Sequence, residues 1–164
     1  MRVRSRRVRA AVCLGAAGLI AGSVLVVREV DSAGPVVTAA EWGDDPRCAA
    51  IARGYPSSLG GQRRSDPGAA GVTTWGDGAV VLRCGLRPPG PTVDKCVNVD
   101  GVDWILLDAE FGDGRKVLVT YGRDPAVELT LTDRAAGTDT ALVELSRAVE
   151  PIPQGAKCLG DTDV

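Results

Sequence analysis

The pattern of apolar and polar positions separates an apolar N-terminal run from a mixed domain. The first nine residues, MRVRSRRVR, are basic, and residues 10–27 carry no charge over eighteen positions. A bilayer crossing takes about 20 apolar residues, and a basic flank stays on the cytoplasmic side. We therefore expect residues 1–9 to be cytoplasmic and residues 10–27 to be a signal-anchor transmembrane helix. A cleaved signal peptide is the alternative, since AGS at positions 21–23 has the small residues of a cleavage site.

The segment that follows the apolar run predicts a tether to a separate domain. Residues 28–41, REVDSAGPVVTAAE, show neither helical nor strand periodicity and contain a Gly-Pro pair. Such a composition is typical of a connecting loop. We expect a single extracytoplasmic domain over residues 42–164, outside the cell membrane.

Two stretches of this domain have the signals of helices. In DDPRCAAIARGYP, Asp45 can cap a helix, Pro46 suits its first turn and Gly54 ends it. In TDTALVELSRAVEPIP, apolar residues recur at helical spacing from about 139 to 149, and Pro151 follows. The pattern predicts one helix near each end of the domain.

The sequence between the helices alternates as strands do. GDG at 76–78 lies between two β-rich runs and DG at 100–101 between two more, which predicts two hairpins. FGDGRKVLVTYG and AVELTLTD supply further strands, and the polar alternate positions of the latter predict a sheet with one solvated face. The expected fold is α+β: a mainly antiparallel sheet of about five or six strands, with two helices covering one face.

Four of the five cysteines lie in this domain, and an even number in an exported domain predicts disulfides. No C-x-x-C spacing is present, so we expect no metal site. Three pairings are open. We favour Cys84–Cys96, which would close the proline-rich loop between them, and Cys48–Cys158, which would join the ends of the domain.

Composition excludes several classes of function. The chain has no histidine, which removes Ser-His-Asp and Cys-His catalysis and every histidine-containing metal site. Five of the 19 basic residues precede position 10, so 14 remain beside 21 acidic residues in the rest of the chain. An acidic domain is repelled by phosphate backbones, so nucleic acid is not an expected partner. No cofactor and no catalytic residue are expected.

A scattered set of arginines and aromatic residues is the candidate binding site. Arginine with tryptophan often binds anionic or sugar-containing ligands through bidentate hydrogen bonds and stacking. The alternative is that the tryptophans fill the core and the arginines pair with acidic neighbours. The candidate residues are Arg64, Trp75, Arg83, Trp104, Arg123 and Glu128.

Several short motifs, in order, resemble a known family. They are GQRR at 61–64, WG at 75–76, LRCG at 82–85 followed by prolines, Cys96, VDW at 102–104 and GRDPAVE at 122–128. Together they resemble an actinobacterial family of small membrane-anchored or exported proteins, the domain of unknown function 3515. The resemblance spans about residues 48–158. It implies an envelope protein, with no established activity and no catalytic residues.

These observations favour a non-catalytic, single-pass protein that binds a cell-envelope component or a membrane protein. Two other functions are open. A histidine-free envelope hydrolase or transferase could use carboxylates such as Asp103 or Glu128. A glycan-binding module could use the arginine and tryptophan set. A binding site requires one shared exposed concave surface, and if the residues concerned are scattered or buried, only the interpretation as a scaffold remains. These residues are Arg64, Trp75, Arg83 and Arg123.

Overall fold

The computed structural model of the protein describes residues 37–107, 114–135 and 137–159. The predicted cytoplasmic segment, the predicted membrane helix and most of the predicted tether lie outside these residues. Among the residues that are described, no helix has both the length and the apolar character that a bilayer crossing requires.

The described part of the domain holds two helices and eight strands. The first helix, α1, spans Pro46–Ala52, and the second, α2, spans Thr138–Val149. The strands lie between them: β1 (Ser58–Leu59), β2 (Gln62–Ser65), β3 (Val72–Trp75), β4 (Val80–Leu86), β5 (Cys96–Val99), β6 (Val102–Leu107), β7 (Lys116–Thr120) and β8 (Ala126–Leu131).

All eight strands form one antiparallel sheet in the order β1-β2-β3-β4-β8-β7-β6-β5. Strands β1 to β4 form one meander, and β5 to β8 form a second that returns to pair with β4. The proline-rich segment 87–95 therefore carries the chain from the middle of the sheet to its far edge. The α+β class and both predicted hairpins, β3–β4 and β5–β6, are confirmed.

A side-chain cap sets the start of α1, and apolar spacing sets the buried face of α2. The Asp45 carboxylate accepts the backbone N–H of Arg47, and Pro46 occupies the first turn of α1. In α2 the buried residues Ala141, Leu145 and Val149 recur at helical spacing. Both predicted helices are confirmed.

One hydrophobic core joins both helices to the same face of the sheet. Alternate residues of neighbouring strands point to this face, such as Leu82 opposite Leu129 and Leu118 beside it. Cys48 and Ile51 of α1, with the buried residues of α2, belong to the same cluster. The expectation that two helices cover one face is confirmed.

The opposite face of the sheet is solvated only in part: Glu128 and Thr130 of β8 are half-exposed, as the alternation predicted, whereas apolar residues of other strands on this face are buried. Strands β4, β6 and β7 carry apolar residues at consecutive positions, a pattern typical of strands buried on both faces. The buried apolar residues of this face are Val72, Val81, Ile105, Val117 and Val119.

The expected strand count was too low. The additional strands β1 and β2 lie in SLGGQRRS, a short stretch without apolar alternation. These strands are held by their backbone pairing to β3, and only Leu59 among their residues is buried. Periodicity could not reveal them, since it reports burial of side chains.

The predicted disulfide pairing is wrong, although all four cysteines form disulfides. Cys48 pairs with Cys84, and Cys96 pairs with Cys158, with Cα–Cα distances of 5.6 and 6.3 Å. Four strand spacings, roughly 19 Å, separate β4 from β5. Cys84 also points to the helix-covered face and Cys96 to the opposite one. A disulfide needs Cα atoms about 4.4–6.8 Å apart, so Cys84 and Cys96 cannot meet.

Candidate binding cleft around Arg64

Both tryptophans of the candidate set lie in the hydrophobic core. Trp75 and Trp104 are each 0% exposed. The Trp75 indole donates to the carbonyl of Pro56 at 3.0 Å, and the Trp104 indole donates to the Ser146 hydroxyl at 2.9 Å. These side chains are therefore not available to stack on a ligand.

Arg123 is a buried structural residue. Its guanidinium donates to the carbonyls of Glu150 at 2.8 Å, Ile152, and Gly101 at 3.3 Å. Burial lowers the pKa of Arg123, and the charges of Glu150 and Asp103 oppose that shift. The side chain joins the β5–β6 turn to the end of α2, where unpaired carbonyls favour a cation.

Arg83 and Glu128 pair with each other in the middle of the sheet. They face each other in the β4–β8 register, on the face opposite the helices, with a nitrogen-to-oxygen distance of 3.1 Å. Both side chains are half-buried. Because each neutralises the other, neither offers an unpaired charge to a ligand.

Arg64 is the remaining member of the candidate set, and it lines a surface cleft of about 410 Å³. The structure does not bring Trp75, Arg83, Trp104, Arg123 or Glu128 to one exposed surface with it. The cleft lies between α1, strands β2 and β3, and the two loops 43–45 and 66–71.

Tyr55 and Arg64 form a stacked pair in this cleft. The guanidinium carbon of Arg64 lies 5.5 Å from the centre of the Tyr55 ring, and its N–H donates to the Tyr55 carbonyl at 3.3 Å. Tyr55 in turn contacts Trp75 edge-on, with ring centres 6.0 Å apart. A cation held over an aromatic ring loses little further freedom when it binds a ligand.

The loop on the other side of the cleft is fixed by close backbone packing. Gly71 has φ +71°, and a Cβ there would lie 2.6 Å from the carbonyl oxygen of Cys84. The amide of Cys84 donates to the carbonyl of Gly71 at 2.8 Å. Since Cys84 is also bonded to Cys48, which lines the cleft, the disulfide holds both walls at a fixed separation.

Three aspartates lie at the cleft, and two of them have backbone roles. Asp45 caps α1 and pairs with Arg47, whose hydrogen bond holds the pKa of the Asp45 carboxyl below its usual value. Asp66 accepts the amide of Gly68 at 2.8 Å. Asp44 and Asp66 are exposed. The cleft thus places one arginine near acidic side chains.

Sequence reasoning singled out Arg64 but missed Tyr55, Asp44 and Asp66. Tyr55 is one of only two tyrosines and directly follows the predicted helix end at Gly54. A hydrophobic residue shortly after a helix C-terminus often contacts the last turn of that helix, and this signal could have pointed to Tyr55. Nothing local indicated that the 66–71 loop returns to α1.

Asp103, a carboxylate of the hydrolase alternative, is occupied by structural hydrogen bonds. It accepts the side-chain amide of Asn98 at 2.6 Å, that of Gln154 at 2.7 Å and the backbone amide of Cys158 at 2.9 Å. It therefore holds the C-terminal segment against β5 and β6. Within the described ranges, no three histidine, cysteine or acidic side chains converge as a metal site.

We expect Asp103→Asn to lower the free energy of unfolding at neutral pH by about 1.5–3 kcal/mol, the usual worth of hydrogen bonds to a charged group. Burial raises the pKa of Asp103, but the hydrogen bonds from Asn98, Cys158 and Gln154, with the charge of Lys157, outweigh it and leave the pKa below its ordinary value.

The pH dependence of this difference follows from the lowered pKa. The stabilisation is present above the unfolded pKa of about 3.9 and is lost as the pH falls through the lower folded pKa. Urea unfolding from pH 7 to pH 2 should show the difference between wild type and Asp103→Asn shrinking below about pH 4. The exposed Asp133→Asn is the control. A difference that stays constant to pH 2 would contradict the assignment.

The comparisons with known proteins point to one family. The family model described as protein of unknown function (DUF3515) matches residues 8–156. No curated protein and no solved structure matches the chain. Because the match covers nearly the whole chain, with the four disulfide cysteines all in or beside it, this protein belongs to the DUF3515 family.

Proposed function

We propose that the protein is a non-catalytic, membrane-anchored binding protein whose domain lies outside the cytoplasm. There it binds a component of the cell envelope or a membrane-protein partner. The observation that carries the proposal is the pair of disulfides, Cys48–Cys84 and Cys96–Cys158. Disulfides persist in oxidising compartments and are rare in the cytosol.

The apolar segment 10–27 supports the anchored arrangement. It follows five arginines and contains no charged residue. By the positive-inside rule, this order places the N-terminus in the cytoplasm and the disulfide-bonded domain on the other side. The same segment would instead be removed if the small residues at 21–23 are cleaved.

The environment of the carboxylates supports binding rather than catalysis. Asp103 accepts three hydrogen bonds, and Glu128 is paired with Arg83. A general acid or base must reach the substrate with a free proton or lone pair. Arg64, in contrast, lines an open cleft and forms no ion pair with any described carboxylate.

Thiol counting on the full chain in intact cells tests the location. A Cys13→Ala variant is used, so that only the four domain cysteines remain. The cells are lysed directly into denaturant, and a maleimide that adds mass is applied to one sample without reduction and to a second sample after reduction. We expect no labelling before reduction and four labels after it. Labelling before reduction, together with protection of the domain from externally added protease, would reject the proposal.

Crosslinking in membranes tests the binding role. We expect the full chain to be recovered with an envelope polymer or a membrane protein, and the Arg64→Gln variant to lose that association. Recovery of the chain alone under several crosslinkers would count against a binding function. The mass of the mature protein distinguishes an uncleaved anchor from a cleaved signal.

A further inference from the structure

The cleft around Arg64 contains a cation whose hydrogen-bonding capacity is mostly unused. Of its five N–H donors, the structure gives one a protein acceptor, the Tyr55 carbonyl at 3.3 Å. The side chain is half-buried and lies over the Tyr55 ring. Arginine in such a fixed position matches the two oxygens of a carboxylate.

The Tyr55 side chain that supports Arg64 is buried and uncharged. Its side chain is only 6% exposed, and its hydroxyl has no hydrogen-bond partner among the described residues. Burial raises the pKa of this hydroxyl, so it stays a neutral donor at all physiological pH values. Tyr55 lines the same cleft as Arg64.

The acidic residues of the cleft restrict the charge of the ligand. Asp44 and Asp66 are exposed at its lining, and Asp45 lies beside them. A phosphate or another purely anionic ligand would be repelled by these carboxylates. A ligand that carries a carboxylate and a separate ammonium group satisfies both charges. The cleft volume of about 410 Å³ lies at the small end of ligand pockets.

We propose that this cleft binds a short peptide with a free carboxylate and a free amino group. Arg64 binds the carboxylate, and Asp44 and Asp66 face the ammonium group. The inference rests on the proposed binding function and names the chemical class of its ligand.

Titration of the full chain in detergent with trialanine tests the inference. The probe is compared with its C-terminal amide and its N-acetyl form, and binding is followed by amide chemical shifts and by calorimetry. We expect shifts at the amides of residues 66–73. We expect amidation to weaken binding about tenfold or more, as loss of a charge-assisted bidentate pair does. Acetylation should weaken it to a smaller extent.

Variants of adjacent residues separate binding from stability. Arg64→Gln should weaken trialanine binding about tenfold, whereas Arg63→Gln should not, because Arg63 is exposed in the same strand and does not line the cleft. If Arg64→Gln does not fold, Arg64→Lys takes its place. Lysine keeps the positive charge but lacks the planar guanidinium that binds both carboxylate oxygens, so this variant should bind trialanine more weakly than wild type.

The inference is overturned if trialanine causes no shifts at the cleft. It is equally overturned if amidation or Arg64→Gln leaves the affinity unchanged. Such a result would not affect the conclusions drawn from the thiol-counting and crosslinking experiments. If the domain cysteines are free thiols in the cytoplasm and trialanine still binds, the proposed function is rejected and the ligand class is retained.

Discussion

Replacement of Cys48 and Cys84 together by alanine should lower the free energy of unfolding by about 4–5 kcal/mol. Loss of the crosslink frees a 36-residue loop in the unfolded chain, which the chain-entropy model values at about 4 kcal/mol. Both cysteines are also buried in the core, at 2% and 1% exposure, so their truncation leaves a small cavity. Since domains of this size are stable by about 5–15 kcal/mol in total, much of the stability would be lost.

The matched control is the double alanine variant of Cys96 and Cys158. Its loop of 62 residues is longer, so loop entropy alone predicts a slightly larger loss. These two cysteines are only half-buried and leave no core cavity. We expect the Cys48/Cys84 variant to be the less stable of the two in guanidinium unfolding. The reverse order would show that loop length, rather than the core environment, dominates.

The second large effect is expected at Arg123. Arg123→Ala should cost about 3–5 kcal/mol, because each carbonyl left without a donor costs about 1–3 kcal/mol. Three carbonyls, of Gly101, Glu150 and Ile152, lose their donor. The turn between β5 and β6 and the end of α2 then lose the side chain that joins them. The measurement is the free energy of unfolding in urea at pH 7.

Two further variants keep this prediction testable if Arg123→Ala does not fold. Arg123→Lys retains the charge but lacks the planar fork, so we expect an intermediate loss of about 1–3 kcal/mol. Arg53→Ala is the control, because the Arg53 side chain is exposed and its one acceptor among the described residues is the Ala49 carbonyl at 3.3 Å. Its change should stay within about 0.5 kcal/mol. If the Arg123→Lys variant is as stable as wild type, the role assigned to the planar guanidinium of Arg123 is contradicted.

Local sequence signals predicted the elements that have local causes. Asp45 and Pro46 determine the start of α1, and the Asp-Gly turn at 100–101 joins β5 to β6 with both residues at positive φ. Caps and tight turns depend on residues within a few positions of each other, so a sequence can reveal them. Strands β1 and β2 were not predicted, because backbone pairing with neighbouring strands holds them in the sheet and their side chains show no apolar alternation.

The candidate site was only partly predictable. An arginine and tryptophan composition was recognised, yet Trp75 and Trp104 fill the core and Arg123 binds carbonyls. The type of a side chain limits the contacts that it can make. Which of these contacts it does make depends on where the fold buries it. The association of Arg64 with Tyr55 and with the 66–71 loop required knowledge of which loop returns to α1.

The sequence by itself determined the α+β class, both helices, two hairpins and the participation of four cysteines in disulfides. These features follow from periodicity, turn chemistry and the even number of cysteines. Only the tertiary structure decided which cysteines pair, which arginine lines an open cleft and that apolar residues on the second face of the sheet are buried. The reason is the β4–β8 pairing, a contact between distant segments. It places β5 at the far edge of the sheet and Cys96 on the face opposite Cys84, and no local pattern encodes that order.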